Sequence, residues 1–406
     1  MSEDWRLARR LYVVLLCAST GWFSACSSPA VLGTDAGFDA ALDTQAQDAT
    51  STSDASTGDA STDASDPHLG WTTIVDERLT QLQTAVAQGR EEHSLPGLAM
   101  AAAYADSQEL MVAVTGLSNV TEGEDWNPAQ SFRIGSVTKT FTAAIILQLV
   151  EEGTLTLNDS LERWVPAYYA GVGVTVRHLI TNTSGIVSYN YVGSFDAGRS
   201  WSPTELVEWA VTHEPELRFE PGSDWEYSNT NYVLLGLVIE AATGSTYDAA
   251  LHARLLDPLG LSDTYLAQSV EPNEHIVRAY DAEDNDISSL HDPSLGWAAG
   301  GMVSTPCDLA RWGASLYAGD VLSAPMLELL LTPGVHNSEY GHGSFVEVDG
   351  AQALYGHTGG IGGYGTYMYH WRNDNITLVV MRNKIDREAS FRDLAGRAWL
   401  PLLGMH

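Results

Sequence analysis

Apolar residues recur at helical spacing over residues 72–93, at Ile74, Leu79, Leu82 and Val86. The spacing then changes. Two runs, Leu98–Tyr104 and Leu110–Val114, read as strands. A longer helix is predicted from Ser136 through Phe141, Ile145, Ile146 and Leu149 to Glu152, where Gly153 stops it. The centre of the chain keeps to helical spacing, as over Pro203–Thr212 and Tyr232–Ala242. Strand patterning returns at Gly365–Trp371 and Ile376–Met381, on either side of the turn Asn373-Asp374-Asn375, and a terminal helix fits Arg387–Leu403. No internal repeat is visible. Both ends of the patterned region supply strands and one helix each, and the middle supplies helices. The expected fold class is therefore α+β: an antiparallel sheet flanked by helices, with a helical region inserted over roughly residues 140–330.

The first 70 residues do not follow this pattern. Arg6, Arg9 and Arg10 precede an apolar run, Leu11–Ala18, and small residues then lead to Ser24-Ala25-Cys26. A basic start, an apolar middle and small residues before a cut site form a secretory signal, and the run is short for a membrane span. A cysteine placed after such residues resembles a bacterial lipobox, although Phe23 stands where an aliphatic residue is usual. This gives residues 1–26 as a signal peptide with Cys26 lipidated, or else simple cleavage nearby without a lipid. Residues 27–70 are rich in Ala, Ser, Thr and Asp, with eight Asp and no Lys or Arg. Such a segment cannot bury enough apolar surface to offset its ordering entropy, so it reads as a disordered tether. The expectation is an exported lipoprotein of the bacterial cell envelope, touching the membrane through its anchor only. With Cys17 discarded and Cys26 acylated, Cys307 alone remains of three cysteines, so no internal disulfide is expected.

The folded part, 71–406, is large enough for one core or for two subdomains sharing one. The net charge of −32 repels phosphate backbones and argues against nucleic acid as a partner. It otherwise describes a solvated surface, or one that attracts cationic substrates. The chain has only two lysines, Lys139 and Lys384, so a lysine at a helix start calls for a reason. Ser136-Val137-Thr138-Lys139 puts a hydroxyl and an amine on one helical face. The positive end of the helix disfavours a charged Lys139 and offers free N–H groups to an oxyanion. Lys139 can then take the proton of Ser136. Read alone, the pattern equally describes a serine cap with a solvent-facing lysine. Tyr227-Ser228-Asn229 is a second element: a phenol able to share proton work near a lysine, or a packing tyrosine beside a helix cap. His357-Thr358-Gly359-Gly360 is a third, expected on a strand at the sheet edge. Its glycines let a substrate backbone approach, or they belong to a glycine-rich loop.

In this order and spacing the three elements resemble the serine beta-lactamase and penicillin-binding protein superfamily. The nearest branch holds class C beta-lactamases, D-Ala-D-Ala carboxypeptidases and esterases. The resemblance spans about residues 71–406. Phe132-Arg133-Ile134-Gly135, Arg177-His178-Leu179-Ile180-Thr181-Asn182-Thr183-Ser184-Gly185 and Gly300-Gly301-Met302-Val303-Ser304-Thr305 agree with it. It implies a two-step acyl transfer with Ser136 as nucleophile and Lys139 and Tyr227 sharing the proton. Asn229 would position the substrate amide, and His357, Thr358 and Gly359 would shape the far wall. The N–H groups of Ser136 and Gly360 would hold the oxyanion. No motif for a separate deacylating glutamate is visible, which leaves that step to Tyr227.

The chain departs from class C enzymes in carrying His357 where they carry a lysine. It has no arginine between Arg311 and Arg372 to hold a substrate carboxylate. His178, His213 and His252 lack metal-ligand spacing, so no metal or other cofactor is expected. The expected activity is hydrolysis of a small peptide, ester or beta-lactam, with D-Ala-D-Ala-type peptides first, a broad carboxylesterase second and a beta-lactamase third. A catalytically inactive peptidoglycan-binding lipoprotein is the alternative of a different kind. In cells fed a palmitate label, the label should follow Cys26 and vanish in Cys26→Ala; an unlabelled mature protein would remove the anchor.

Overall fold

The structure is a computed structural model that describes residues 70–269, 276–349, 352–385 and 390–402. The proposed signal, Cys26 and the tether to residue 69 lie outside the described residues, as does the expected helix start at Arg387. The first described element is a two-residue strand, β1 (Thr72–Thr73). Helix α1 (Glu77–Glu92) follows, later than residue 72 because Asp76 caps it, its carboxylate accepting from the Arg78 N–H. Strand β2 (Gly97–Tyr104) starts one residue before the pattern placed it and ends where expected. Strand β3 (Glu109–Asn119) runs five residues past Val114, and β4 (Glu124–Asp125) pairs with that extension across a register shift. β5 (Phe132–Arg133) leads into helix α2 (Thr138–Glu151).

The central region supplies α3 (Pro203–His213) and α4 (Asn229–Thr243), then two short strands, β6 (Tyr265–Leu266) and β7 (Met302–Ser304). These strands join β5 in a small sheet of order β5-β7-β6, so the region inserted at 140–330 is not wholly helical. Helices α5 (Pro306–Ala318) and α6 (Ala324–Leu331) come next. The C-terminal part gives β8 (Phe345–Asp349), β9 (Gln352–Ile361), β10 (Tyr364–Trp371), β11 (Ile376–Arg382) and α7 (Phe391–Leu402).

The main sheet has the order β1-β3-β2-β11-β10-β9-β8, with β4 beside β3. It is antiparallel except where β1 runs parallel to β3. The two chain ends meet in its middle, where Met100 of β2 faces Val380 of β11. Strand β2 is alanine-rich because both its faces are covered. Leu98, Met100 and Ala102 pack with Leu82, Val86, Leu394 and Ala398 of α1 and α7. Ala99, Ala101 and Ala103 face the larger core, with Trp312 and Leu316 of α5. Small side chains let helices on both faces come close.

Helix α2 runs through that larger core. Eleven of its fourteen residues are buried, Thr138 to Leu147 and Leu149, which is the pattern of a helix enclosed on all sides. Phe141 stacks on Trp312 at 3.9 Å, and the indole N–H of Trp312 donates to Thr140 Oγ1 at 2.9 Å. The helix does not begin at Ser136. Gly135 adopts φ +51°, Gly135–Val137 forms a tight 3₁₀ turn, and the α-helix starts at Thr138. Ser136 is thereby lifted to a half-buried position above the helix end.

Strand β9 is an inner strand for half its length. Its pairing with β8 runs from Asp349↔Gln352 only to Phe345↔Gly356. From His357 onward the side away from β10 faces the Ser136 turn instead. The contact there is backbone to backbone: a Cβ on Gly359 would lie 1.9 Å from the Ile134 carbonyl oxygen and 3.2 Å from the Ser136 nitrogen. Gly359→Ala should therefore push β9 off the nucleophile turn, lowering stability by about 1–3 kcal/mol and acylation with it. A urea midpoint and a labelling rate equal to wild type would show that this contact does not set the geometry.

Candidate active site

Five residues from three stretches of chain converge on the Lys139 amine. Its Nζ lies 3.1 Å from Ser136 Oγ, 2.7 Å from Asn229 Oδ1 and 2.6 Å from the Ala299 carbonyl oxygen. The ring centroids of Tyr227 and Tyr232 stand 4.8 and 5.3 Å away. Lys139 is fully buried, not solvent-facing, and burial holds its pKa well below the ordinary 10.5. A neutral amine fits this socket without a missing bond. Its two N–H groups go to Asn229 Oδ1 and Ala299 O, and its lone pair accepts the hydroxyl of Ser136. That arrangement draws the proton away from the oxygen that would attack a carbonyl.

The Ala299 carbonyl is held by a short strap, Gly296–Gly301, laid across α2. Thr142 Oγ1 donates to the Ala298 oxygen at 2.7 Å, and the Met302 N–H donates to Thr138 Oγ1 at 3.2 Å. Trp297 sits in the strap at φ +36°, a left-handed conformation unusual for a bulky residue. The strand before the nucleophile is fixed from the other side. Arg133 is buried and donates to the carbonyls of His291 at 2.8 Å and Asp292 at 3.1 Å.

Asn229 opens α4, following Ser228. Its backbone N–H donates to Ser188 Oγ at 2.9 Å, and its side-chain amide donates to Asn190 Oδ1 at 3.0 Å. Tyr227 is half-buried, its ring 6.2 Å from that of His357. The sequence reading gave His357 a place on the substrate-facing wall. In the structure its side chain is buried, packed among Phe345 at 4.9 Å, Tyr340 at 6.0 Å and Tyr227. Strand alternation is the reason: His357 and Gly359 point one way, Thr358 and Gly360 the other. Thr358 is half-buried and Gly360 exposed. Nδ1 of His357 lies 2.5 Å from the Thr358 oxygen, and Nε2 is buried without a partner. Burial pushes the His357 pKa down to about 3. The imidazole is neutral at physiological pH and supplies no positive charge. A Cβ on Gly135 would lie 2.7 Å from the Gly360 nitrogen, so the backbone of Gly360 lies close against the Ser136 turn.

Sequence reasoning missed Ser188, Asn190, Tyr232 and the Ala299 carbonyl. Ser188-Tyr189-Asn190 carries a faint signal, a polar pair spaced like Tyr227 and Asn229, next to apolar Ile186 and Val187. A backbone carbonyl leaves no signal at all. Among the described residues, no group of three or more His, Cys, Asp or Glu is placed to hold a metal ion. No helix there is long and apolar enough to cross a membrane.

The beta-lactamase family model matches residues 82–402. Penicillin-binding protein 4* of Bacillus subtilis is 29% identical over 326 residues, covering 75% of this chain and 71% of that protein. The D-alanyl-D-alanine-carboxypeptidase/endopeptidase AmpH of Escherichia coli is 26% identical over 286 residues, covering 64% of this chain and 73% of its own length. Among solved structures, D-amino acid amidase from Ochrobactrum anthropi in complex with D-phenylalanine superposes with a TM-score of 0.72. It is 26% identical and covers 81% of this chain and 99% of that one. A D-stereospecific amidohydrolase from Streptomyces gives a TM-score of 0.67 at 29% identity, over 82% and 100% of the two chains.

The depressed Lys139 pKa fixes the direction of the pH dependence. The neutral amine is populated above that pKa, so acylation should rise with pH through a limb lying below 10.5 and fall as acid protonates Nζ. Lys139→Met should slow acylation by about 10²–10⁴-fold or more. A labelling rate within a few-fold of wild type across that limb would show that another group takes the proton.

Proposed function

This chain belongs to the beta-lactamase family, and on that premise we propose that it hydrolyses small amides and esters with an uncharged leaving group, D-aminoacyl compounds first. Ser136 attacks the acyl carbon, and its proton passes to Lys139 Nζ. The carbonyl oxygen becomes an oxyanion held by the N–H groups of Ser136 and Gly360. Collapse expels the amine or alcohol, which takes up the proton through Lys139 and Tyr227. Water then cleaves the acyl-serine by the same route in reverse, returning Ser136 and a carboxylic acid.

The observation that carries the leaving-group preference is the neutrality of the far wall. His357 is an uncharged imidazole. Among the described residues, the side chains bonded to or stacked on Ser136, Lys139, Asn229 and His357 include no arginine and no second lysine. A terminal carboxylate would enter this groove without a cation to meet it, and desolvating an unpaired charge is costly. The likeness to D-amino acid amidases supports the same reading. A D-alanyl-D-alanine carboxypeptidase is the second reading, favoured by the likeness to penicillin-binding protein 4* and AmpH. The leader and the acidic tether support an exported, anchored enzyme acting near the cell wall under either reading.

A panel of D-alaninamide, a short-chain nitrophenyl ester, a D-Ala-D-Ala peptide and a chromogenic cephalosporin tests the proposal. The amide and ester should have kcat/KM at least tenfold above the peptide. The reverse order would pass the assignment to the carboxypeptidase. Ser136→Ala should abolish fluorophosphonate labelling, and equal labelling of mutant and wild type would sink the acyl-serine mechanism.

A further inference from the structure

Asn190 does not touch Lys139, Ser136 or the oxyanion donors in any hydrogen bond given above, yet it closes a ring of bonds whose direction reaches the lysine. The ring begins at a group whose polarity cannot change. The backbone N–H of Asn229 donates to Ser188 Oγ at 2.9 Å. Having accepted there, the Ser188 hydroxyl turns its own hydrogen to Asn190 Oδ1, 2.6 Å away. Asn190 therefore presents its oxygen to this ring. The Asn229 side chain, 3.0 Å from the same oxygen, must present its NH₂ group to it. Asn229 Oδ1 is then left facing Lys139 Nζ at 2.7 Å.

The platform carrying Ser188 and Asn190 is fixed to the first turn of α4. The Tyr189 N–H donates to Thr230 Oγ1 at 2.8 Å, and that hydroxyl donates to the Val187 carbonyl at 2.7 Å. Tyr189 itself is buried against Phe195, with ring centroids 5.1 Å apart. Asn190 is thus held from both sides in one place, although it is only half-buried.

We infer that Asn190 is a positioning residue for the acylation reaction: it locks the Asn229 amide with its oxygen toward Lys139, which keeps the amine's lone pair for Ser136. The inference rests on the acyl-serine reading of the site. The physical reason is a count of donors and acceptors. A neutral amine has two N–H groups and one lone pair. With Asn229 Oδ1 and Ala299 O accepting, the lone pair belongs to the Ser136 hydroxyl. Were the Asn229 amide to flip, its N–H would compete with Ser136 for that lone pair, and one Lys139 N–H would lose its acceptor inside the core. Nothing in an isolated asparagine amide prefers one orientation by shape, because its N and O ends are nearly the same size. The preference has to come from the next shell, and Asn190 supplies it.

Two variants separate this role from a structural one. Asn190→Ala removes the acceptor. Asn190→Asp keeps the acceptor and adds a negative charge one residue beyond Asn229, which favours the ammonium form of Lys139. Acylation of the full mature chain by a fluorophosphonate is followed against pH, with rates normalised to folded protein by near-ultraviolet circular dichroism. Asn190→Ala should lower the plateau rate by about 10–100-fold. Asn190→Asp should hold the plateau within a few-fold while its acid limb moves to higher pH, by about one unit. A wild-type plateau in the alanine variant, or an unmoved limb in the aspartate variant, would overturn the positioning role. Wild-type protein that fails to label would overturn the acyl-serine reading and this inference with it.

Discussion

The site depends on one constraint: a lysine amine enclosed in protein must have every hydrogen and its lone pair satisfied. Taking an ammonium out of water is costly, and Lys139 has no carboxylate among the partners described for it. The neutral form removes most of that cost, and the three partners can satisfy it. Asn229 Oδ1 and the Ala299 carbonyl take the two hydrogens, and the Ser136 hydroxyl fills the lone pair. Burial thus performs two tasks together. It depresses the lysine pKa, and it orients the resulting base at the nucleophile. The composition of the chain agrees with so particular a use, since the one other lysine, Lys384, pairs with the exposed Asp284 at 2.6 Å.

The surrounding fold can be understood as the means of holding that socket. The small sheet of β5, β6 and β7 delivers Ser136 at the end of β5 and the strap just before β7. Helix α2 carries the lysine through the larger core, braced by Trp312. Helix α4 offers Asn229 from its first turn. The main sheet brings β9 alongside, with glycine where its backbone meets the nucleophile turn. Because β8 stops pairing at Gly356, the remainder of β9 is free to meet that turn and whatever lies in the groove. Along β9, Thr358 is half-buried and the His357 ring is buried.

Much of this was legible in the sequence. The class of fold, the strands Gly97–Tyr104, Tyr364–Trp371 and Ile376–Arg382, and the helices α2, α3 and α4 follow the apolar spacing closely. The misses have local causes. Strands β1, β5, β6 and β7 have two or three residues each, too few for any period to show. The far end of β3 contains Gly116 at φ +84° and a register shift near Leu117, in a stretch that does not look like strand. The start of α2 moved by two residues because Gly135 takes a left-handed turn. At the site, Ser136, Lys139, Tyr227 and Asn229 could be picked out because side-chain chemistry and spacing announce them. The burial of His357 could not, since it depends on which face of β9 meets Phe345 and Tyr340. Asn190 was hidden for a related reason: its part is set by the direction of hydrogen bonds across a fold not yet assembled.

The strap across α2 bears on when, during folding, the chain becomes reactive. The Lys139–Ala299 bond joins residues 160 positions apart, and the β2–β11 pairing brings Met100 to Val380. Contacts between such distant segments form late, because the loop must close before they return any free energy. Until then Lys139 is an ordinary solvated lysine, protonated at neutral pH, and Ser136 is an ordinary alcohol. Reactivity is therefore a property of the completed chain, switched on by closure of the last long-range contacts. A chain still being made carries Ser136 in a harmless form.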